Sequence, residues 1–352
     1  MSKCTAYVGT AIWRGGKGIY AFDADTETGE MTQIAVTEVQ NPSYVALNST
    51  NTLLYCVIEV GEYKGAKGGA VAAYKILPGG ALELINEMTT EGNGPTHLSL
   101  SSDDSHLFAA NYGEGTAVCY PLNADGSIGS AYTILPHEGS GPNPQRQKKP
   151  FAHFALLAPD EKWLCVVDLG IDGVMLHPYT KEKGAVLEGS VKVDVSTPGA
   201  GPRHMIFSKD GKTAYVVCEL ISQIDVYDYL GEGGMKLKQT ISTLPADFDG
   251  KSTCAAIRIS ECGGFLYASN RGHDSAAAFA VQPDGTLKLL GITKTGGQNP
   301  RDINLLPGGK FLLCGNQDEG GITFLRVNAD GSLSPSDLPA IDIPAPVCFA
   351  FA

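Results

Sequence analysis

Tryptophan is scarce in this sequence and charge is sparse. Paired-cysteine motifs, nucleotide-binding glycine loops and membrane-length apolar runs are missing altogether. There are two Trp in 352 residues and no Trp-Asp dipeptide, which argues against a WD40 interaction scaffold. Charged residues make up 18% against 43% hydrophobic, too few for a disordered chain and apolar enough for a large core. Positive charge is the deficient sign: 26 Lys and Arg face 38 Asp and Glu, for a net charge of −12 and a pI near 5.0. A broad nucleic-acid or anionic-membrane surface is thereby disfavoured, and any anion site has to be a local cluster of Arg, Lys and His. No uninterrupted apolar stretch approaches transmembrane length. Met1–Thr10 passes straight into a strand-like pattern, so no secretory leader is expected and the cytoplasm is the expected compartment. The nine Cys are odd in number, form no CxxC and sit mostly inside apolar runs (Cys56, Cys165, Cys218, Cys314). They read as small buried hydrophobes of a reducing compartment, not as metal ligands. Gly-x-Ser-x-Gly, phosphate-loop and dinucleotide fingerprints are absent, which removes three common catalytic frameworks.

Turn formers are abundant: Gly 43 and Pro 20. They punctuate a repeat of about 50 residues, the spacing of propeller blades. The clearest unit is Gly201–Glu219, an apolar run, a tight turn at Lys209-Asp210-Gly211-Lys212, and a second apolar run. Related hairpins start at Asn41, Gly94, Pro150, Thr253 and Asn299. A second set of turns interleaves with them, at 28–30, 78–80, 125–127, 182–184, 231–234, 284–286 and 330–332. Each unit therefore holds four strands in a meander, and the pattern predicts an all-β, seven-bladed β-propeller of four-stranded antiparallel blades. The N-terminus lacks a first strand: residues 5–10 resemble a second strand and 18–22 a third. The missing strand is found at 346–352, so one blade is closed by both termini and residues 1–352 form a single domain. Leu135–Pro150 is much longer than the other inter-blade links, and predicts a lid or mobile excursion over the same end of the ring as Arg203.

Radial blades bring equivalent positions into a ring. First-strand starts supply Ser43, Thr96, His153, Arg203, Ala255 and Arg301; second-strand ends supply Glu59, Tyr112, Asp168, Glu219, Arg271 and Asn316, within about one residue of register. All are predicted at one mouth of the central channel, with Arg203 and Glu219 at strand ends facing solvent-filled space. Arg is suited to bidentate carboxylate or phosphate binding and to oxyanion stabilisation, His and Glu to proton transfer. The combination suits chemistry on a small anionic substrate; a ring of salt bridges serving only closure is the structural alternative. Asp23–Glu30 faintly resembles a calcium loop but is spaced like a strand turn, and His97 and His106 read as structural.

Gly201-Pro202-Arg203-His204, Glu219-Leu220, Asn270–Ser275, Pro300-Arg301-Asp302, Asn316-Gln317 and the loop Gly139–Gln147 resemble the motifs of the seven-bladed propeller lactonase family. That family includes cytoplasmic 6-phosphogluconolactonases and fungal 3-carboxy-cis,cis-muconate lactonizing enzymes, and the likeness spans almost the whole chain. It implies a catalytic His at His153, functional arginines at Arg203 and Arg271, and an acid/base carboxylate at Glu219. His204, Asp168, Arg301 and Asn316 are then expected to bind substrate. Neither metal nor organic cofactor is implied. Family members often read Pro-His-Ala-His where this chain has Pro150-Phe151-Ala152-His153. Three functions follow from the resemblance and the ring: hydrolysis of 6-phosphogluconolactone, cofactor-free cycloisomerisation of a carboxylated muconate, or a catalytically silent binding propeller. A monomer or weak homo-oligomer is expected, with no nucleic-acid or membrane partner.

Overall fold

In a computed structural model, which describes residues 2–130 and 132–352, the alternating apolar runs form seven antiparallel sheets around a central channel. Met1 and Ala131 lie outside the described residues. Blade 1 is built from Val45–Leu47, Leu53–Ile58, Ala70–Ile76 and Leu82–Thr89, with a small hairpin, Glu62–Tyr63 and Ala66–Lys67, rising between its second and third strands. Blades 2 to 6 begin at Pro95, Ala152, Pro202, Thr253 and Gln298 and repeat the meander. Blade 3 departs at its outer edge, where Gly184–Ala185 and Val191–Asp194 both pair with Gly173–Thr180. Blade 7 joins the termini: Pro346–Phe351 is innermost and pairs antiparallel with Lys3–Thr10, Ala6 opposite Phe351 and Val8 opposite Phe349.

The core lies between neighbouring blades because each sheet buries both faces of its inner strands. A recurrent device ties blade to blade. Tyr55, Tyr215 and Tyr267, fully buried on second strands, donate to the carbonyls of Gly126 (2.8 Å), Gly285 (2.9 Å) and Gly331 (3.1 Å) in the next blade. Each acceptor is the left-handed glycine of an Asp-Gly-Ser/Thr turn, whose Asp caps the amide two residues on. These are the turns whose repetition marks the blades in the sequence. Asp23–Glu30 is a strand turn of related kind: Asp25 Oδ1 accepts from the amides of Glu27 (2.8 Å) and Thr28 (2.9 Å).

Candidate active site

A β-bulge repeats near the start of the first strand in blades 2 to 6. Pairing skips between Pro95 and His97, Ala152 and Phe154, Pro202 and His204, Cys254 and Ile257, and Pro300 and Asp302. The skipped residues include Thr96, His153, Arg203 and Arg301. A bulge leaves its extra residue out of the ladder and re-aims its side chain, and these four are turned into a cavity of about 160 Å³ at one mouth of the channel. Glu59, Tyr112, Glu219 and Arg271, each just past or at the end of a second strand, complete the wall with Arg146 from the long loop.

Glu219 is the centre of this cluster. It opens a 3₁₀ turn, Glu219–Ile221, and its amide donates to the Gly201 carbonyl at 2.7 Å. Its Oε1 meets Arg146 Nη2 at 2.6 Å, and its Oε2 meets Arg203 Nε and Arg271 Nη2 at 3.0 Å each. Arg203 is further fixed by Nη1 donating to the Ala255 carbonyl at 2.7 Å and to His204 Nε2 at 3.1 Å. Arg271 Nη2 reaches the Cys254 carbonyl (3.3 Å) and Arg301 Nη1 the Gln317 side chain (3.2 Å). Arg271, Arg203 and Arg146 overcome the cost of burial and hold the Glu219 carboxyl down at about 2. Burial and the neighbouring Arg271 and Arg301 push Arg203 down from its ordinary value, yet a guanidinium stays protonated. Four arginines against two carboxylates, Glu59 and Glu219, leave a net positive pocket in an acidic protein.

Arg203 and Glu219 are only 2% and 4% exposed. This corrects the expectation that they face solvent-filled space: blade convergence and the overlying loop enclose both. The loop is an anchored lid. Gln147, fully buried, donates to the Leu169 carbonyl and Asp172 Oδ1 at 2.9 Å each, and Arg146 beside it reaches down to Glu219. Lys149 is engaged by the Gly113 carbonyl.

His153, Arg203, Glu219, Arg271 and Arg301 are thus brought together as expected, but three predicted binding residues are not in the cavity wall. Asp168 is buried in the loop anchor: Oδ2 pairs with His137 Nδ1 at 2.7 Å, and Oδ1 accepts from the amides of Phe151, Gly170 and Ile171. Asn316 bonds Thr295 and Thr323 Oγ1, as Asn270 bonds Thr243 and Ser275 in blade 5. Both misplacements have one cause. Asp168 and Asn316 pair opposite Ala152 and Pro300, one residue short of the ring position, and in a strand one residue reverses the face. His204 lies behind Arg203, in edge-on contact with the His153 ring (5.2 Å between ring centroids) and tilted against Phe154 (4.7 Å) and His97 (5.9 Å). His97 and His106 are structural, His97 accepting the Ala155 amide and His106 meeting Tyr179.

Among the described residues, buried side-chain atoms without a hydrogen-bond partner concentrate around this site: Ser43 Oγ, Glu59 Oε2, His153 Nδ1, His204 Nδ1 and Arg271 Nε. Unpaired buried polar groups are costly unless a ligand or water completes them. No group of three His, Cys, Asp or Glu among the described residues could hold a metal ion.

The buried imidazoles set a pH dependence of stability. Burial, with Arg203 or Arg258 nearby, holds His97, His153 and His204 well below the ordinary value, and burial beside His137 lowers His177 to about 3. The unfolded chain protonates these groups near 6.5 while the folded one does not, so their stabilisation is complete above 6.5 and is lost as pH falls below it. Each costs about 1.4 kcal/mol per pH unit in that range. Glu59 and Asp302, raised by burial, oppose the trend but are fewer. Calorimetry between pH 7.5 and 5.5 should give a Tm that falls with pH; a flat profile would contradict neutral buried imidazoles.

A family model described as "Lactonase, 7-bladed beta-propeller" matches residues 5–351. A Bacillus subtilis (strain 168) protein named 6-phosphogluconolactonase is 37% identical over 358 residues, covering 100% of this chain and 99% of that one. The solved structure of the Pseudomonas aeruginosa periplasmic gluconolactonase PpgL is similar at a TM-score of 0.92 and 31% identity, covering 99% of both chains. A Lactobacillus plantarum protein of solved structure gives 0.90 and 31%, again with 99% of each covered. No helix among the described residues is long and apolar enough to cross a membrane.

Proposed function

The chain belongs to the seven-bladed β-propeller lactonase family, and from that premise we propose that it hydrolyses the ring ester of a small anionic sugar lactone, 6-phosphogluconolactone. The observation that carries this reading is the convergence of Arg146, Arg203, Arg271 and Arg301 on one small cavity. Lactone hydrolysis develops negative charge on the carbonyl oxygen, and preorganised donors stabilise it best in a site that excludes water. Arg203 and Arg271, held by backbone carbonyls and by Glu219, are the proposed oxyanion donors. Arg271 Nε has no hydrogen-bond partner among the described residues and is placed to donate. Arg301 and Arg146 face the same space and suit a phosphate or carboxylate oxygen. Glu219, engaged on both oxygens, acts in this reading as the charge that aligns three guanidinium groups. His153, kept neutral by burial and by Arg203 and Arg301, suits a hydrogen bond to a sugar hydroxyl.

The relatives named as lactonases support hydrolysis over cycloisomerisation. Nine free cysteines, seven of them buried, support a reducing compartment, and we propose the cytoplasm. The test is acid release from freshly made 6-phosphogluconolactone, against an enzyme-free control and against unphosphorylated gluconolactone. Acceleration is expected for the phosphorylated lactone above the neutral one. No acceleration of either would overturn the proposal, and a preference for the neutral lactone would overturn the phosphate.

A further inference from the structure

We propose that Glu59 is the general base of this site, drawing a proton from the water that attacks the lactone carbonyl; the assignment rests on the lactonase reading above. Two carboxylates line the cavity, Glu59 and Glu219. Glu219 has both oxygens committed to Arg146, Arg203 and Arg271, at 2.6 to 3.0 Å. A carboxylate so neutralised is a weak base. Glu59 is its opposite: among the described residues it makes no ion pair, and its buried Oε2 lacks a well-aligned hydrogen bond, the Ser43 hydroxyl being its neighbouring donor.

The backbone holds Glu59 in place for this role. Its amide donates to the Asn41 carbonyl at 3.1 Å, and its own carbonyl accepts from Asn41 Nδ2 at 2.6 Å. Asn41 is buried and left-handed (φ 49°), a conformation Asn tolerates better than most residues, and its Oδ1 accepts the Ile12 amide at 3.1 Å. One residue thus clamps the Glu59 main chain on both sides and ties it to blade 7. Burial also raises the Glu59 carboxyl above the ordinary carboxylate range, although Arg301, the Ser43 hydroxyl and Arg203 pull against the shift. That direction moves a base toward its working pH.

The step balances without a co-reactant. Glu59 accepts a proton from water as the hydroxide oxygen bonds to the lactone carbonyl carbon, and the carbonyl electron pair moves onto the oxygen held by Arg203 and Arg271. Collapse breaks the bond to the ring oxygen, and the Glu59 proton passes to that oxygen to give the open hydroxy acid. Glu59 returns to its ionised form.

Glu59→Gln keeps size and removes basicity. It is expected to lower kcat on 6-phosphogluconolactone by about 10²-fold or more with KM nearly unchanged, and to abolish the acidic limb of the kcat–pH profile. Glu59→Ala serves as the second variant, with formate expected to restore part of its rate. Both are compared by melting temperature with the unmutated protein. A Glu59→Gln rate within about threefold of the unmutated protein, or a slower variant keeping the original limb, overturns the assignment and leaves His153 as the base. An unmutated protein inactive on both lactones removes the lactonase reading itself, and this assignment with it.

Discussion

Deletion of residues 344–352 is expected to leave the chain insoluble or molten. Pro346–Phe351 forms the inner strand of blade 7, and no other strand among the described residues takes that place. Its loss leaves the inner edge of Ala6–Thr10 without a ladder partner and opens the faces of blades 1 and 6, where Cys348 Sγ lies against Val45 and Asn304 Nδ2 reaches the Phe349 carbonyl (3.2 Å). The Phe349 amide also donates to the buried Asp302 carboxylate at 3.0 Å, a contact the truncation removes beside the Arg258 ion pair. Burial of Val347, Phe349 and the half-buried Phe351 contributes roughly 2 kcal/mol each, before lost hydrogen bonds are counted. Against a total stability of about 5–15 kcal/mol, that decides the outcome. Circular dichroism and thermal melting of the truncated chain check it; a melt as cooperative and as high as that of the full chain would refute closure by the C-terminal strand.

The blades were legible because their repetition is chemical. An Asp-Gly-Ser turn at 125–127 is repeated at 330–332 and closely matched by the Asp-Gly-Thr turn at 284–286, since each must offer its glycine carbonyl to the tyrosine of the preceding blade. The termini could be joined for a similar reason: a meander short of one inner strand needs another to remove its edge. Within the site, Arg203 and Glu219 share a hairpin, so local pairing brings them together. Arg146 does not share it. It lies 73 residues from Glu219, on a loop whose path depends on Gln147 and His137 finding buried partners, and no strand pattern encodes that. The ring register failed at Asp168 and Asn316 because the repeat fixes a strand end only to within about one residue, and one residue reverses the face. The alternation of apolar and polar residues does not reveal an extra residue when both neighbours are buried, as Ala152 and Phe154 are around His153. Glu59 stood in the predicted ring among other carboxylates; its unpaired oxygen is visible only once every neighbour has been placed.

Arg203→Ala and Glu219→Gln should separate catalysis from stability, because the two residues carry opposite burdens in one cluster. Arg203 is enclosed near Arg271 and Arg301, so burial and like charge oppose it even as Glu219 attracts it. Its removal relieves repulsion and leaves Glu219 still paired with Arg146 and Arg271. Melting temperature should therefore change little, while turnover falls by about 10²–10³-fold for loss of an oxyanion donor. Arg203→Lys should recover only part of this, since an ammonium cannot contact Glu219, the Ala255 carbonyl and substrate with one planar fork. Glu219→Gln removes the carboxylate held among three guanidinium groups. Breaking a buried pair from one side costs about 3–5 kcal/mol, and the part-exposed Arg146 partner puts this variant at the lower end. Its turnover should fall as well, because Arg146, Arg203 and Arg271 lose their common anchor. Paired measurements of Tm and kcat/KM on purified variants decide the matter. Equal losses of Tm in both, with activity spared in Arg203→Ala, would make the cluster a closure device and move the chemistry elsewhere.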